Sequence, residues 1–231
     1  MKKNIYFFLL FFLFKQANLF AQDTLSPMVK KKVFLELGIS ANSYKGSLTA
    51  NYGNYTSSSF HCGIKFNKKT RMNGKFNLSI GSISSQNTSN LNFVDAKGNV
   101  FYPISYFKTS ITNLSYELNL VLLKKKKIAA NVFGGIGVSK FNVKDFDGND
   151  LANNLSSRAK GEDFNSISFF FPLGLNAEYI WKENFRSGFS VNVMNPLTDF
   201  FDNTSQYSPY KTVKDNVLML KFYVSAPLAF K

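Results

Sequence analysis

The chain is poor in the groups that usually carry chemistry. It has one cysteine (Cys62), one histidine (His61) and one tryptophan (Trp181) in 231 residues. A single cysteine excludes an intrachain disulfide, so the framework must rest on other contacts. One histidine and one cysteine do not make a zinc ligand set, and neither a metal nor a cofactor is expected. Long apolar runs are scarce too. Only Ile5–Phe14 stands out, and its length of about ten residues falls short of the ~20 that a spanning helix needs. The most apolar later run, Phe169–Leu175, is interrupted by Pro172 and Gly174. Acids are few, with 14 Asp and Glu against 28 Lys and Arg, a formal charge of +14.

What is present begins with a leader. Lys2 and Lys3, the apolar stretch and Leu19-Phe20-Ala21 before Gln22 read as a signal peptide over residues 1–21. No cysteine follows that cut, so a lipid-modified anchor is not expected. Residues 22–32 read as a basic N-terminal segment and residues 33–231 as one domain. No repeat, linker or peptidoglycan-binding domain is expected.

After residue 32 the sequence alternates. Val33, Leu35, Leu37, Ile39 and Ala41 interleave with Phe34, Glu36, Gly38, Ser40 and Asn42. Period two marks a strand whose faces meet different surroundings. Eight such strands are predicted: Val33–Tyr44, Ser57–Asn67, Arg71–Ser82, Tyr106–Leu123, Ile128–Asn142, Ser166–Trp181, Phe185–Asn195 and Asn216–Ala226. Their connections alternate long and short. Strands are the one structure besides a helix that satisfies the backbone inside lipid. The pattern therefore predicts an all-β, eight-stranded, antiparallel up-and-down transmembrane β-barrel, in the outer membrane of a Gram-negative bacterium. Many of the 26 phenylalanines would face lipid or form interfacial girdles. Pro172 predicts a bulge or a local break in the sixth strand, because it cannot donate to the ladder.

The opposite strand faces are small or charged in both signs. Glu36, Glu117 and Glu178 face Lys65, Lys75, Arg186 and Lys221 across a lumen just wide enough for side chains. Unpaired buried charge is costly, so these groups should pair and give a side-chain-filled lumen. The short connections would sit at a periplasmic rim with Lys68, Lys69, Arg71, Lys124, Lys125, Lys126, Lys127 and Lys182. With Lys30, Lys31, Lys32 and Lys231 that rim gathers twelve bases against one acid, Glu183. Lysines there can cap strand ends near anionic headgroups. They can also dock an acidic periplasmic protein. Nucleic acid is not an expected partner, because the compartment is wrong.

Other candidates are weaker. Asp145-Phe146-Asp147-Gly148-Asn149-Asp150 spaces oxygens as calcium loops do, but Ser156 stands where the pattern wants a glutamate, so a polar turn is expected. His61 is expected inside the lumen as a structural residue. A rim hydrolase or acyltransferase would need it paired with an acid such as Asp199 or Asp202, or with one of Ser57–Ser59.

Five stretches carry a resemblance. They are Leu35–Gly46, Asn113–Leu120, Phe133–Val138 with Phe141-Asn142, Phe171–Leu175, and Thr198–Ser205. In order and spacing they resemble the PorG-like outer-membrane barrels of Bacteroidetes, associated with type IX secretion, and their relatives. The resemblance implies a non-catalytic barrel contacting a periplasmic assembly, with no catalytic residues to carry over. The expected role is an anchor or docking component. Alternatives are surface adhesion or envelope stability and, behind them, a narrow pore or a lipid-modifying enzyme.

Overall fold

A computed structural model describes residues 32–46, 52, 57–67, 71–86, 93–94, 100–101, 106–152, 165–181, 185–198, 201–203 and 215–228. The leader, Lys30, Lys31, Lys68, Lys69, Lys182, Asp199 and Lys231 lie outside these residues. Ten strands form. They are β1 (Lys32–Lys45), β2 (Ser57–Asn67), β3 (Met72–Gln86), β4 (Phe93–Val94), β5 (Val100–Phe101), β6 (Tyr106–Lys124), β7 (Ile128–Lys144), β8 (Ile167–Ile180), β9 (Arg186–Pro196) and β10 (Asn216–Leu228). Eight of them close an antiparallel barrel in the order β1-β10-β9-β8-β7-β6-β3-β2. β1 zips to β10 from Val33↔Leu228 to Lys45↔Asn216, so the barrel has no open edge. The remaining two, β4 and β5, pair antiparallel in the β3–β6 connection, where the sequence pattern predicts a long loop.

Pro172 creates no bulge in β8, and the expected local break is a gap in its ladder to β7. The β7–β8 ladder runs Gly134↔Leu173 and resumes at Gly137↔Phe170 in the same register, skipping Gly135 and Ile136. The gap falls where proline has no N–H to donate. Close packing excludes side chains from the facing glycines: a Cβ on Gly135 would lie 2.1 Å from the Tyr116 carbonyl, and one on Gly137 would lie 2.4 Å from the Phe170 ring. The register shift comes instead between Val121 and Leu123, one residue short of the lysine turn. Barrel rims commonly carry such bulges.

The outward face is apolar over a bounded height. On β6 it runs Leu114, Tyr116, Leu118, Leu120, Leu122, and on β8 Phe169, Phe171, Leu173, Leu175. Leu114 to Leu122 is nine residues of strand, within the ~9–11 that a tilted strand needs to cross a bilayer. Exposed apolar surface this continuous is built to meet lipid. Tyr179 and Trp181 stack edge to face at 4.7 Å near the short-turn end, in the predicted girdle.

Beyond the band the outward face changes. Thr112, Ser110 and Lys108 on β6 and Lys140 and Lys144 on β7 are exposed, while Phe107, Ile111, Phe141 and Val143 turn inward. β3, β6 and β7 thus continue past the membrane band as a collar, polar outside and apolar inside. The character of each face reverses at Thr112–Leu114 and at Val138–Phe141 with no slip in the β6–β7 register.

Candidate functional site

The lumen is stacked in three layers. The first lies toward the short turns and is ionic. All seven charged residues expected there point inward, and six are buried while Arg186 is nearly so. They form two clusters. Glu36 receives Lys75 Nζ at 3.1 Å and Lys221 Nζ at 2.8 Å, and Lys75 also lies 3.0 Å from Glu117. Glu178 bonds Lys65 and receives Arg186 at 2.9 Å and the Tyr223 hydroxyl at 3.2 Å. The Arg186 guanidinium lies over the Phe34 ring at 4.4 Å and Lys221 over Tyr223 at 4.9 Å, which covers the cations with aromatic faces. Three acids answer four bases. Shared partners offset a desolvation cost that isolated pairs would not meet.

The second layer is polar and mostly uncharged. His61 is buried, with Nε2 2.9 Å from Ser40 Oγ, and Ser40 donates to Asn42 Oδ1 at 2.8 Å. Asn42 donates in turn to Ser59 Oγ and to the Ser82 carbonyl. Asn131, Asn176 and Asn119 form a separate amide chain on β7, β8 and β6, at the level of the ionic layer.

The third layer is apolar and fills the collar. Tyr44, Ile83, Phe107, Ile111, Phe141, Val143, Leu151, Phe170, Met194, Phe201, Val217 and Met219 make one buried cluster. Phe201 comes from the last long connection and is fully enclosed, edge-on to Phe141 at 4.8 Å. Its backbone is tied down. The Phe201 N–H donates to Asp215 Oδ2 at 3.0 Å and its carbonyl accepts from Thr109 Oγ1. Tyr44 Oη lies 2.9 Å from Asp202 and 2.5 Å from Asp215, so one phenol links both acids. Asn203 follows at φ 57°, a turn conformation that Asn tolerates better than most residues.

The ionic layer consists of the charged residues that strand alternation places inside, whereas the apolar layer is not expected from that alternation. Its signal was there: Phe107-x-x-x-Ile111 and Phe141-x-Val143 fall out of phase with the lipid-facing residues of the same strands. Asp202, considered as a catalytic acid, belongs to the Phe201 latch, while His61 is bound to Ser40. Of the basic rim, Lys124–Lys127 are exposed in the β6–β7 turn, which is closed by Lys125 N–H donating to the Ile128 carbonyl at 2.7 Å. Arg71 is half-buried, and its carbonyl accepts from Val121 N–H at 2.9 Å, which ties the neighbouring turn to that rim. Asp145 uses both carboxylate oxygens within its own turn, accepting Asn149 N–H at 2.8 Å and Asn149 Nδ2 at 2.9 Å. Those bonds, the side-chain one foremost, hold its carboxyl below the usual range. This is the expected polar turn.

No protein-family model matches the chain, and no curated protein matches it by sequence. Solved structures do share its fold. Neisserial surface protein A is similar at TM-score 0.50 and 9% identity, over 85% of this chain and 97% of that one. The attachment invasion locus protein Ail of Yersinia pestis is similar at TM-score 0.47 and 11% identity, over 86% and 100%. A major outer membrane protein of Thermus thermophilus is similar at TM-score 0.45 and 14% identity, over 85% and 99%. The fold is that of the eight-stranded outer-membrane barrels.

Proposed function

We propose that this chain is a closed, non-catalytic barrel of the outer membrane that anchors or docks other envelope components. The observation that carries this reading is the filled lumen, with ion pairs toward one end and an apolar plug at the other. A barrel with no passage offers its partners its rims and its lipid-facing wall. In barrels of this kind short turns face the periplasm. The exposed Lys124–Lys127 turn then presents four positive charges to that compartment, beside Arg71. An acidic periplasmic protein is the partner that such a rim would steer, more weakly as salt rises. The motif order that resembles PorG-like barrels supports a place in type IX secretion, and that part rests on the sequence alone.

The non-catalytic reading is supported by His61. The chain's one imidazole is enclosed in the middle of the lumen and bonded to Ser40, away from either rim. Cross-linking in intact cells tests the docking role. Replacing Lys124–Lys127 with glutamate should abolish cross-links to acidic periplasmic proteins while the barrel still folds. Unchanged cross-links and unchanged secretion would remove the docking role and leave a structural one.

A further inference from the structure

Between the ionic layer and the apolar plug lies a small cavity of about 20 Å³, room for the centres of one or two waters. Its polar lining is one-sided. Among the described residues His61 Nδ1, Asn77 Oδ1, Asn113 Oδ1 and Asn192 Oδ1 have no hydrogen-bond partner, and Glu117 Oε2, which has Lys75 Nζ at 3.0 Å, keeps a second lone pair. His61, Asn77, Asn113 and Glu117 are each more than nine-tenths buried. They come from β2, β3 and β6, with Asn192 from β9 across the lumen.

The imidazole tautomer follows from its neighbours. Asn42 must turn its amide nitrogen to the Ser82 carbonyl, which can only accept. Its oxygen therefore faces Ser40, whose single proton is spent on it. His61 Nε2 must then carry the proton donated to Ser40 Oγ. With the imidazole neutral, Nδ1 is a bare lone pair facing the cavity. A further positive charge is disfavoured where four bases already answer three acids. Two of the local donors are engaged: Asn113 Nδ2 reaches Ser79 Oγ and Met194 Sδ, and Ser115 Oγ lies 3.2 Å from Glu117 Oε1.

We propose that this cavity is a built hydration site, in which one or two waters donate to His61 Nδ1 and the surrounding carboxamide and carboxylate oxygens. A ligand there must donate and need not accept. Water does this without charge, whereas a metal cation would sit beside Lys75 and add to the lumen's positive excess. The site would link His61 to Glu117 and end blind at Phe170, Met194 and Met219. This inference rests on the closed lumen and stands or falls apart from the docking role, since a missing partner would leave it untouched.

Crystals of the refolded barrel, grown in sodium chloride and transferred to rubidium chloride, separate the outcomes. The expected result is compact density within hydrogen-bond distance of His61 Nδ1 and Asn113, with no rubidium anomalous signal. A rubidium peak would overturn the proposal in favour of a cation site, and a cavity without density would overturn it in favour of a dry void. In nanodiscs, the ¹⁵N spectrum of His61 should show Nε2 protonated and Nδ1 bare, with water cross-relaxation to the Asn113 side-chain amide. A protonated Nδ1 would contradict it. Asn77→Leu should abolish that cross-relaxation, and its persistence would count against the site. If that variant does not fold, Asn192→Leu at the half-buried wall gives the same readout.

Discussion

The barrel is two structures joined along the same strands, and they obey opposite rules. In the membrane band the outside is Leu, Phe and Ile and the inside is Glu, Lys and Asn. In the collar the outside is Lys, Ser and Thr and the inside is Phe, Ile and Val. The backbone does not change between them, because β6 and β7 pass through in one register. What changes is the solvent each wall meets. The band puts its apolar side chains in lipid and must satisfy polar ones internally. The collar stands in water and buries its apolar side chains as a soluble barrel does. The collar core therefore seals one end of a lumen whose other end is held by ion pairs.

The comparison can be broken first in the ionic layer. Glu36→Gln should destabilise the band by about 3–5 kcal/mol, because Lys75 and Lys221 lose the acid they share and stay buried. Urea unfolding in lipid vesicles measures this. A change under about 1 kcal/mol would mean that the two lysines reach water. The same substitution on two storeys sharpens the contrast. Leu118→Arg, outward in the band, should cost about 2–4 kcal/mol, whereas Thr112→Arg, outward in the collar, should stay within ~0.5 kcal/mol. Equal costs would place the lipid boundary elsewhere.

How much of this was legible beforehand depends on which storey is considered. Every barrel strand was readable to within a few residues, because alternation and turn residues agree. The seven lumen charges were readable because a charge on the polar face of a narrow barrel has nowhere else to go. The collar core was overlooked because Phe107, Ile111, Phe141 and Val143 sit on the face that carries polar residues lower down. A reading that fixes one face per strand misassigns them. The link from Tyr44 to Asp202 and Asp215 spans 158 and 171 residues and leaves no local pattern.

Two smaller effects refine the comparison. Tyr44→Phe should cost about 1–3 kcal/mol through the acids left without its hydroxyl. The loss should be local, with faster hydrogen exchange at Phe201 and unchanged protection around Glu178 and Ser190, in the band portions of β8 and β9. Exchange that rises equally in both storeys would show that the collar and the band unfold as one. Lys125→Glu, on the exposed short turn, should change stability by less than ~0.5 kcal/mol, and what it alters should be association and its dependence on salt.

Single-channel recording of the refolded barrel in a planar bilayer bears most directly on the filled lumen. Ion pairs around Glu36 and Glu178 below and the Phe201 plug above predict no steady conductance at any voltage the bilayer tolerates. A stable ohmic current carried by the wild-type chain would mean that ions find a path through both layers, and the barrel would have to be read as a pore.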